Sequence, residues 1–147
     1  VLPALIGKMH HAKQQQAEYA TAWGSGTPYR ELLYSDDMAQ ACIFLMNLDD
    51  TLFNSLLTPT QPPLINIGSG EEYTIRDIAQ NVREAVGYAG EIRWDTSKPD
   101  GTPRKRLCTD RLHALGWRAR TPLSTGIRAV YEDYLVQCSS LIASQVK

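Results

Sequence analysis

Ile75, Ile78, Ala79, Val82, Ala85 and Val86 recur at intervals of three and four residues. In a helix they fall on one side and demand an apolar surface to cover them. The segment also carries its own boundaries. Thr74 stands three residues before Asp77, a weaker relative of the capping box, and Gly87 follows the last periodic residue, where a helix C-terminus takes glycine. A helix with so clean a face is stable only inside a packed domain.

The flanking chain supplies the other elements of such a domain. Pro3 to Tyr19 reads as a helix with Ala4, Leu5, Lys8, Met9 and Ala12 along one stripe and Pro3 tolerated in the first turn. A short strand is expected at Ala20–Trp23, a turn at Gly24–Pro28 and an extended segment over Arg30–Tyr34. Ser35 and Asp36 are N-cap candidates for a helix with Met38, Ala39, Cys42, Ile43, Leu45 and Met46 as its apolar face. The polar, proline-rich stretch Asn47–Pro63 reads as a loop with a helical turn inside it, over Leu52–Leu57. Leu64-Ile65-Asn66-Ile67 is a β-branched run ending in the turn Gly68-Ser69-Gly70, and Glu91–Trp94 alternates as a strand. A short helix over Thr109–Gly116 and a last helix follow, the latter with Ile127, Val130, Tyr131, Tyr134 and Leu135 facing inward and fraying after Gln137. The pattern predicts a small mixed α/β domain over residues 1–137 and a frayed tail over 138–147, with few strands and no βαβ repeat.

At 147 residues, 43% hydrophobic and 21% charged, the chain has the size and composition of one globular domain. A net charge of −1 gives no global field for nucleic acid or a membrane surface, so neither is an expected partner, and any anion site is local. No apolar run approaches a spanning helix. Val1–Ile6 lack a basic n-region and a cleavage site, so no signal peptide is expected. Cys42, Cys108 and Cys138 are widely spaced and match no metal pattern, and His10-His11 are adjacent rather than at ligand spacing. Reduced thiols in the cytoplasm are the expectation, with no metal. The chain opens without methionine on a helix already under way, as in a piece of a longer protein.

Ser97-Lys98-Pro99-Asp100-Gly101-Thr102-Pro103-Arg104-Lys105-Arg106 gathers four cations between and beside two prolines. Proline removes a backbone donor and fixes φ, so this is a loop or extended segment. Such a loop either binds an anion or is a solvated basic turn. A second Gly/Pro loop upstream, Trp23-Gly24-Ser25-Gly26-Thr27-Pro28-Tyr29-Arg30-Glu31, has matching chemistry. Arg30 follows its turn, where a planar guanidinium can donate two parallel bonds to a phosphate; the alternative is an ion pair with Glu31 or Asp36. Asp100 either accepts from a ligand's hydroxyls or base edge or caps the turn before Gly101. Trp23 either offers a flat face to a ligand or packs in the core.

These segments, together with Asp36-Asp37-Met38-Ala39, Asn66-Ile67-Gly68-Ser69-Gly70, Thr74-Ile75-Arg76 and Leu115-Gly116-Trp117, occur in an order that resembles the C-terminal half of the GDP-L-fucose synthase family. That family lies in the extended short-chain dehydrogenase/reductase superfamily. The resemblance runs from Val1 to about Leu135. Arg30 with Asp36-Asp37 is general to the superfamily, whereas Asp100-Gly101-Thr102-Pro103-Arg104-Lys105 points to this family.

The resemblance implies an NADP-dependent oxidoreductase and epimerase that converts GDP-4-keto-6-deoxymannose to GDP-L-fucose, epimerising two ring carbons and reducing the ketone. It implies a homodimer in full-length form. NADP(H) would be bound by an N-terminal Rossmann half that this chain lacks, and that half would also supply the catalytic residues. No Gly-x-x-Gly-x-x-Gly and no Tyr-x-x-x-Lys occurs here, and Glu71-Glu72 would repel a pyrophosphate from the Gly68-Ser69-Gly70 turn. No catalytic residue is therefore assigned, and the chain alone is expected to be inactive. The implied substrate-binding residues are Arg30, Lys105, Trp23, Lys8, Asp100, Val1 and Leu5. Lys8 stands where the family usually has arginine, which keeps the charge and loses the fork. Two other readings compete: a noncatalytic or degenerate nucleotide-sugar-binding module, and a fragment of a related UDP- or dTDP-sugar epimerase or dehydratase.

Overall fold

A computed structural model describes residues 1–57, 62 and 64–145, with side chains through 139. The elements are α1 (Leu2–Gln14), β1 (Tyr19–Trp23), β2 (Tyr29–Arg30), α2 (Ser35–Met46), α3 (Asp50–Ser55), β3 (Tyr73–Thr74), α4 (Ile75–Val86), β4 (Glu91–Asp95), β5 (Arg104–Lys105), α5 (Asp110–Ala114) and α6 (Leu123–Gln145). They divide into two compact units. One comprises Val1–Tyr29, Tyr73–Arg104 and Pro122–Lys147, and the other comprises Arg30–Glu72 and Lys105–Thr121.

The first unit is built around α4. Its face buries Ile78, Ala79, Val82 and Val86, and helices α1 and α6 pack on it. Leu5, Ile6, Met9 and Ala12 come from α1, and Ile127 and Tyr131 from α6. The sequence pattern placed the core side of α1 one residue off: Lys8 is exposed and Ile6 is 1% exposed. The start of α4 is a complete capping box. The Thr74 hydroxyl accepts from the Asp77 backbone N–H, and the Asp77 carboxylate accepts from the Thr74 N–H at 3.0 Å. Gly87 ends the helix in the left-handed region at φ 65°.

Strands β1 and β4 pair in parallel, from Tyr19 opposite Glu91 to Trp23 opposite Asp95. A parallel pair needs a long crossover connection, and α4 is the helix that leads into β4. The two-residue strands pair in the order β3-β2-β5. Helix α1 ends at Gln14, short of the expected Tyr19, and Gln16 takes a positive φ of 51° on the way into β1.

In the second unit, Ala41, Leu112 and Trp117 form the centre, with Leu33, Phe44, Leu45, Ile65, Ile67 and Ala119 against them. Helix α2 is turned relative to its apolar pattern. The inward stripe is Asp37, Ala41, Phe44 and Leu45, whereas Met38, Ala39, Cys42, Ile43 and Met46 are exposed. The cause is Asp37. Only 3% exposed, its Oδ2 accepts from the backbone N–H groups of Thr121 at 2.9 Å and Arg120 at 3.3 Å. A carboxylate that satisfies two backbone donors belongs inside, and it fixes the rotation of the helix. Neither Ser35 nor Asp36 caps α2: the N-cap is Tyr34, with no side-chain bond.

The expected strand Leu64–Ile67 enters no sheet among the described residues. Asn66 instead donates its side-chain amide to the Cys108 carbonyl. Residues 58–61 and 63 of the expected Asn47–Pro63 loop lie outside the described residues. Asp49 caps α3 there by accepting from the Leu52 N–H. Helix α6 runs to Gln145, across much of the expected tail over 138–147.

Candidate nucleotide-binding loops

The two Gly/Pro loops meet in the first unit. The Asp100 carboxylate accepts from the Ser25 backbone N–H at 2.6 Å and from the Ser25 hydroxyl at 2.7 Å. Ser25 Oγ also lies 2.7 Å from Thr27 Oγ1 and accepts from the Thr27 N–H. The Ser25 hydroxyl and then its backbone N–H hold the Asp100 carboxyl below the usual carboxylate range. Further along, Tyr29 donates its backbone N–H to the Pro103 carbonyl. The glycines make this approach possible. A Cβ on Gly24, at φ 80°, would strike the Asp100 carboxylate, and one on Gly26, at φ 75°, would lie 2.6 Å from Arg76 Cγ and from the Trp94 ring.

Beside these loops, Trp23 closes β1 and is 65% exposed, so it is not a core residue. Lys8 reaches from α1, donates to the Thr21 carbonyl at 3.0 Å and places its ammonium 4.9 Å from the Trp23 ring centroid. Lys98, from the turn after β4, lies 5.9 Å from the same ring. Asp95, opposite Trp23 in the strand pair, is held below the usual carboxylate range by the Ser97 hydroxyl and backbone N–H, with smaller contributions from Lys98 and Lys8. Lys8, Trp23, Asp95 and Lys98 thus form one exposed, net positive group around an aromatic face, which suits a phosphorylated ligand with a flat ring.

The remaining sequence-derived residues divide by unit. Val1 is exposed and its carbonyl accepts from the Leu5 N–H, while Leu5 is buried in the core of α1. Arg30, half-buried at the end of β2, and Lys105, exposed at the end of β5, belong to the second unit. In that unit Glu31 accepts from the backbone N–H groups of Gly70 at 2.8 Å and Leu107 at 2.9 Å. The Gly68-Ser69-Gly70 turn therefore spends a donor on a carboxylate, and the Glu31 carboxylate fills the space a Gly68 side chain would take. A dinucleotide pyrophosphate needs such donors turned toward it and a glycine cradle left open, so this turn does not fit NADP(H). Among the described residues no cluster could hold a metal ion, and the cysteines are unpaired thiols.

The sequence reading passed over Lys98 and Ser25. Lys98 was counted among the cations of its loop, yet nothing in the linear order places it beside Trp23. Ser25 had one signal, a hydroxyl between two glycines, which is ordinary in turns.

Residues 1–68 match the NAD dependent epimerase/dehydratase family. Over 137 residues the chain is 47% identical to the GDP-L-fucose synthase of Escherichia coli K12, a match covering 92% of this chain and 42% of that protein. Among solved structures, a GDP-6-OMe-4-keto-L-xylo-heptose reductase from Campylobacter jejuni superposes with a TM-score of 0.81 at 30% identity, covering 92% of this chain and 47% of that one. A GDP-L-fucose synthetase from Naegleria fowleri, solved with NADP bound, gives 0.78 at 27% identity, covering 95% and 41%. The chain spans about two fifths of the length of the curated relatives it matches, 38% to 42% for the first three. The resemblance carried by the sequence motifs and the small mixed α/β fold of the extended superfamily are both borne out.

Proposed function

We propose that this chain, similar over nine tenths of its length to GDP-L-fucose synthases, is the GDP-sugar-binding part of an enzyme of that kind. The parent enzyme would epimerise and reduce GDP-4-keto-6-deoxymannose with NADPH, in the cytoplasm and as a homodimer. The observation that carries the reading is Trp23. An indole normally retreats from water, yet this one is 65% exposed with two ammonium groups over its ring.

In this reading, as the resemblance implies, Lys8 and Trp23 of the first unit are nucleotide-sugar contacts, with Val1 and Leu5 setting the first turn of the helix that carries Lys8, and Arg30 and Lys105 of the second unit are phosphate contacts. These groups bind and orient. None of them, at the positions described, is poised to take a proton from a sugar carbon. NADP(H) supplies hydride when bound. Its site is assigned to a partner half rather than to this chain, in keeping with the occupied Gly68–Gly70 turn. The exposed face of α2 offers an apolar surface to such a half.

Calorimetric titration of the parent enzyme with GDP tests the assignment. Arg30→Ala and Lys105→Ala are each expected to weaken binding by about tenfold or more, the worth of a charge-assisted bond to phosphate. Unchanged affinity in both would sink the site. Competition among GDP, UDP and dTDP tests the nucleotide, and a preference for uridine would point to a related sugar-nucleotide enzyme instead.

A further inference from the structure

Arg30 and Lys105 close the neighbouring strands β2 and β5, and each strand is two residues long. Neighbouring strands lie about 4.8 Å apart, so two cations at their ends can meet one diphosphate. So short a ladder makes few bonds, and the spacing of its last residues depends on what braces the chain beyond it. We propose that Glu31 is that brace, a positioning residue: its carboxylate ties the chain after Arg30 to the chain after Lys105 and so sets the spacing at which the two cations grip a diphosphate.

Glu31 is the first residue past β2. Its Oε2 accepts from the Leu107 N–H at 2.9 Å, two residues past Lys105, and its Oε1 accepts from the Gly70 N–H at 2.8 Å. Arg30, Glu31, Gly70, Lys105 and Leu107 all lie in the second unit, so one side chain joins three of its segments. Arg106, between Lys105 and Leu107, lies 3.8 Å from the Glu72 carboxylate and links two of the same segments again. Its side chain is 50% exposed, and such a pair contributes little, so the two charge-assisted bonds of Glu31 are the firmer tie.

The residue type fits this task. Two N–H donors need two acceptors, and a carboxylate offers both. A glutamine amide offers one and turns a second donor against the other N–H. Gly68 leaves room for the device, since a Cβ there would strike Glu31 Oε1. A carboxylate next to a phosphate-binding arginine otherwise works against the site, because its charge repels the anion. Its two backbone bonds account for its presence there.

This inference rests on the nucleotide-sugar reading and fails separately from it. The probes are GDP, whose diphosphate can span both cations, and GMP, whose single phosphate cannot, titrated into the whole chain. The unaltered chain is expected to bind GDP more tightly than GMP. Glu31→Gln is expected to weaken GDP by about tenfold, the worth of one bond to a charged group, and GMP by less than about twofold. The sign is diagnostic, because loss of a negative charge beside an anion site would by its field alone tighten both ligands. Gly68→Ala keeps every polar group and displaces the carboxylate, so it should reproduce the selective loss of GDP. The double variant should be little worse than either single one, and losses that multiply would overturn the shared carboxylate. Should Glu31→Gln fail to fold, Gly68→Ala decides in its place. Equal losses for GDP and GMP would show a general loosening of the unit and overturn the proposal. Unchanged or tighter GDP binding in both variants would overturn it too, and in either case the nucleotide-sugar reading stands. An unaltered chain that binds neither probe would bring down both.

Discussion

Asp36 and Asp37 are neighbours of identical chemistry, and the fold treats them oppositely. Asp36 lies exposed in the first turn of α2, whereas Asp37 is 3% exposed and accepts two backbone N–H groups from the segment after α5. Asp37→Ala strands both donors in a dry site. Each unsatisfied buried donor costs about 1–3 kcal/mol, and the bonds lost are charge-assisted, so the change should remove roughly 3–5 kcal/mol. For a protein of this length that corresponds to a fall in midpoint of about 6–20 °C, at the ~2–4 °C per kcal/mol typical of such domains. Asp36→Ala removes only an exposed charge near the helix N-terminus and should cost less than about 1 kcal/mol. Thermal melts followed by the buried Trp117 give the comparison, and amide exchange at Arg120 and Thr121 gives a local readout. Equal melts for the two variants, or unaltered protection of those two amides in Asp37→Ala, would refute the reasoning.

Gly26→Ala combines a positive φ of 75° with a clash against Arg76 and Trp94, so a loss of about 2 kcal/mol or more is expected in urea unfolding; a neutral result would mean the loop is not held against α4 and β4. The Asp100 carboxyl is depressed by its Ser25 bonds, so its contribution is complete above the ordinary carboxylate range and is lost as pH falls through its lowered folded value. The Ser25 amide should therefore lose its downfield shift and exchange protection only in strong acid, and a transition at neutral pH would contradict the bond. Ile43 is 59% and Met46 83% exposed, so Ile43→Glu with Met46→Glu should leave the melt of the isolated chain unchanged while reducing its aggregation; a large loss of stability would show that this face is internal to the chain.

Where local order and tertiary packing agreed, the elements could be read directly. Thr74, Asp77 and Gly87 bracket α4 by bonds that reach only a few residues, and its inward side chains follow from a 3.6-residue period that nothing contradicts. The likeness to GDP-L-fucose synthases was likewise carried by short ordered motifs, and it holds over 92% of the chain. Helix α2 is the counterexample. Its apolar pattern pointed to Met38, Cys42, Ile43 and Met46, and the fold buried Asp37 and Ala41 instead, because the donors that make a buried carboxylate tolerable come from residues 120 and 121. Leu64–Ile67 has strand composition, but a strand also requires a neighbour, and composition cannot supply one.

By itself the sequence determined which segments are helical, where two cation-bearing loops lie and which family they resemble. Tertiary structure decided what those loops do to each other. Ser25 and Asp100 are separated by 75 positions and share two hydrogen bonds, and Lys98 meets Trp23 at the C-terminal end that the paired strands share. Contacts of that range depend on the register of β1 against β4 and on glycines small enough to let two loops touch, and both are settled only when the chain closes on its core.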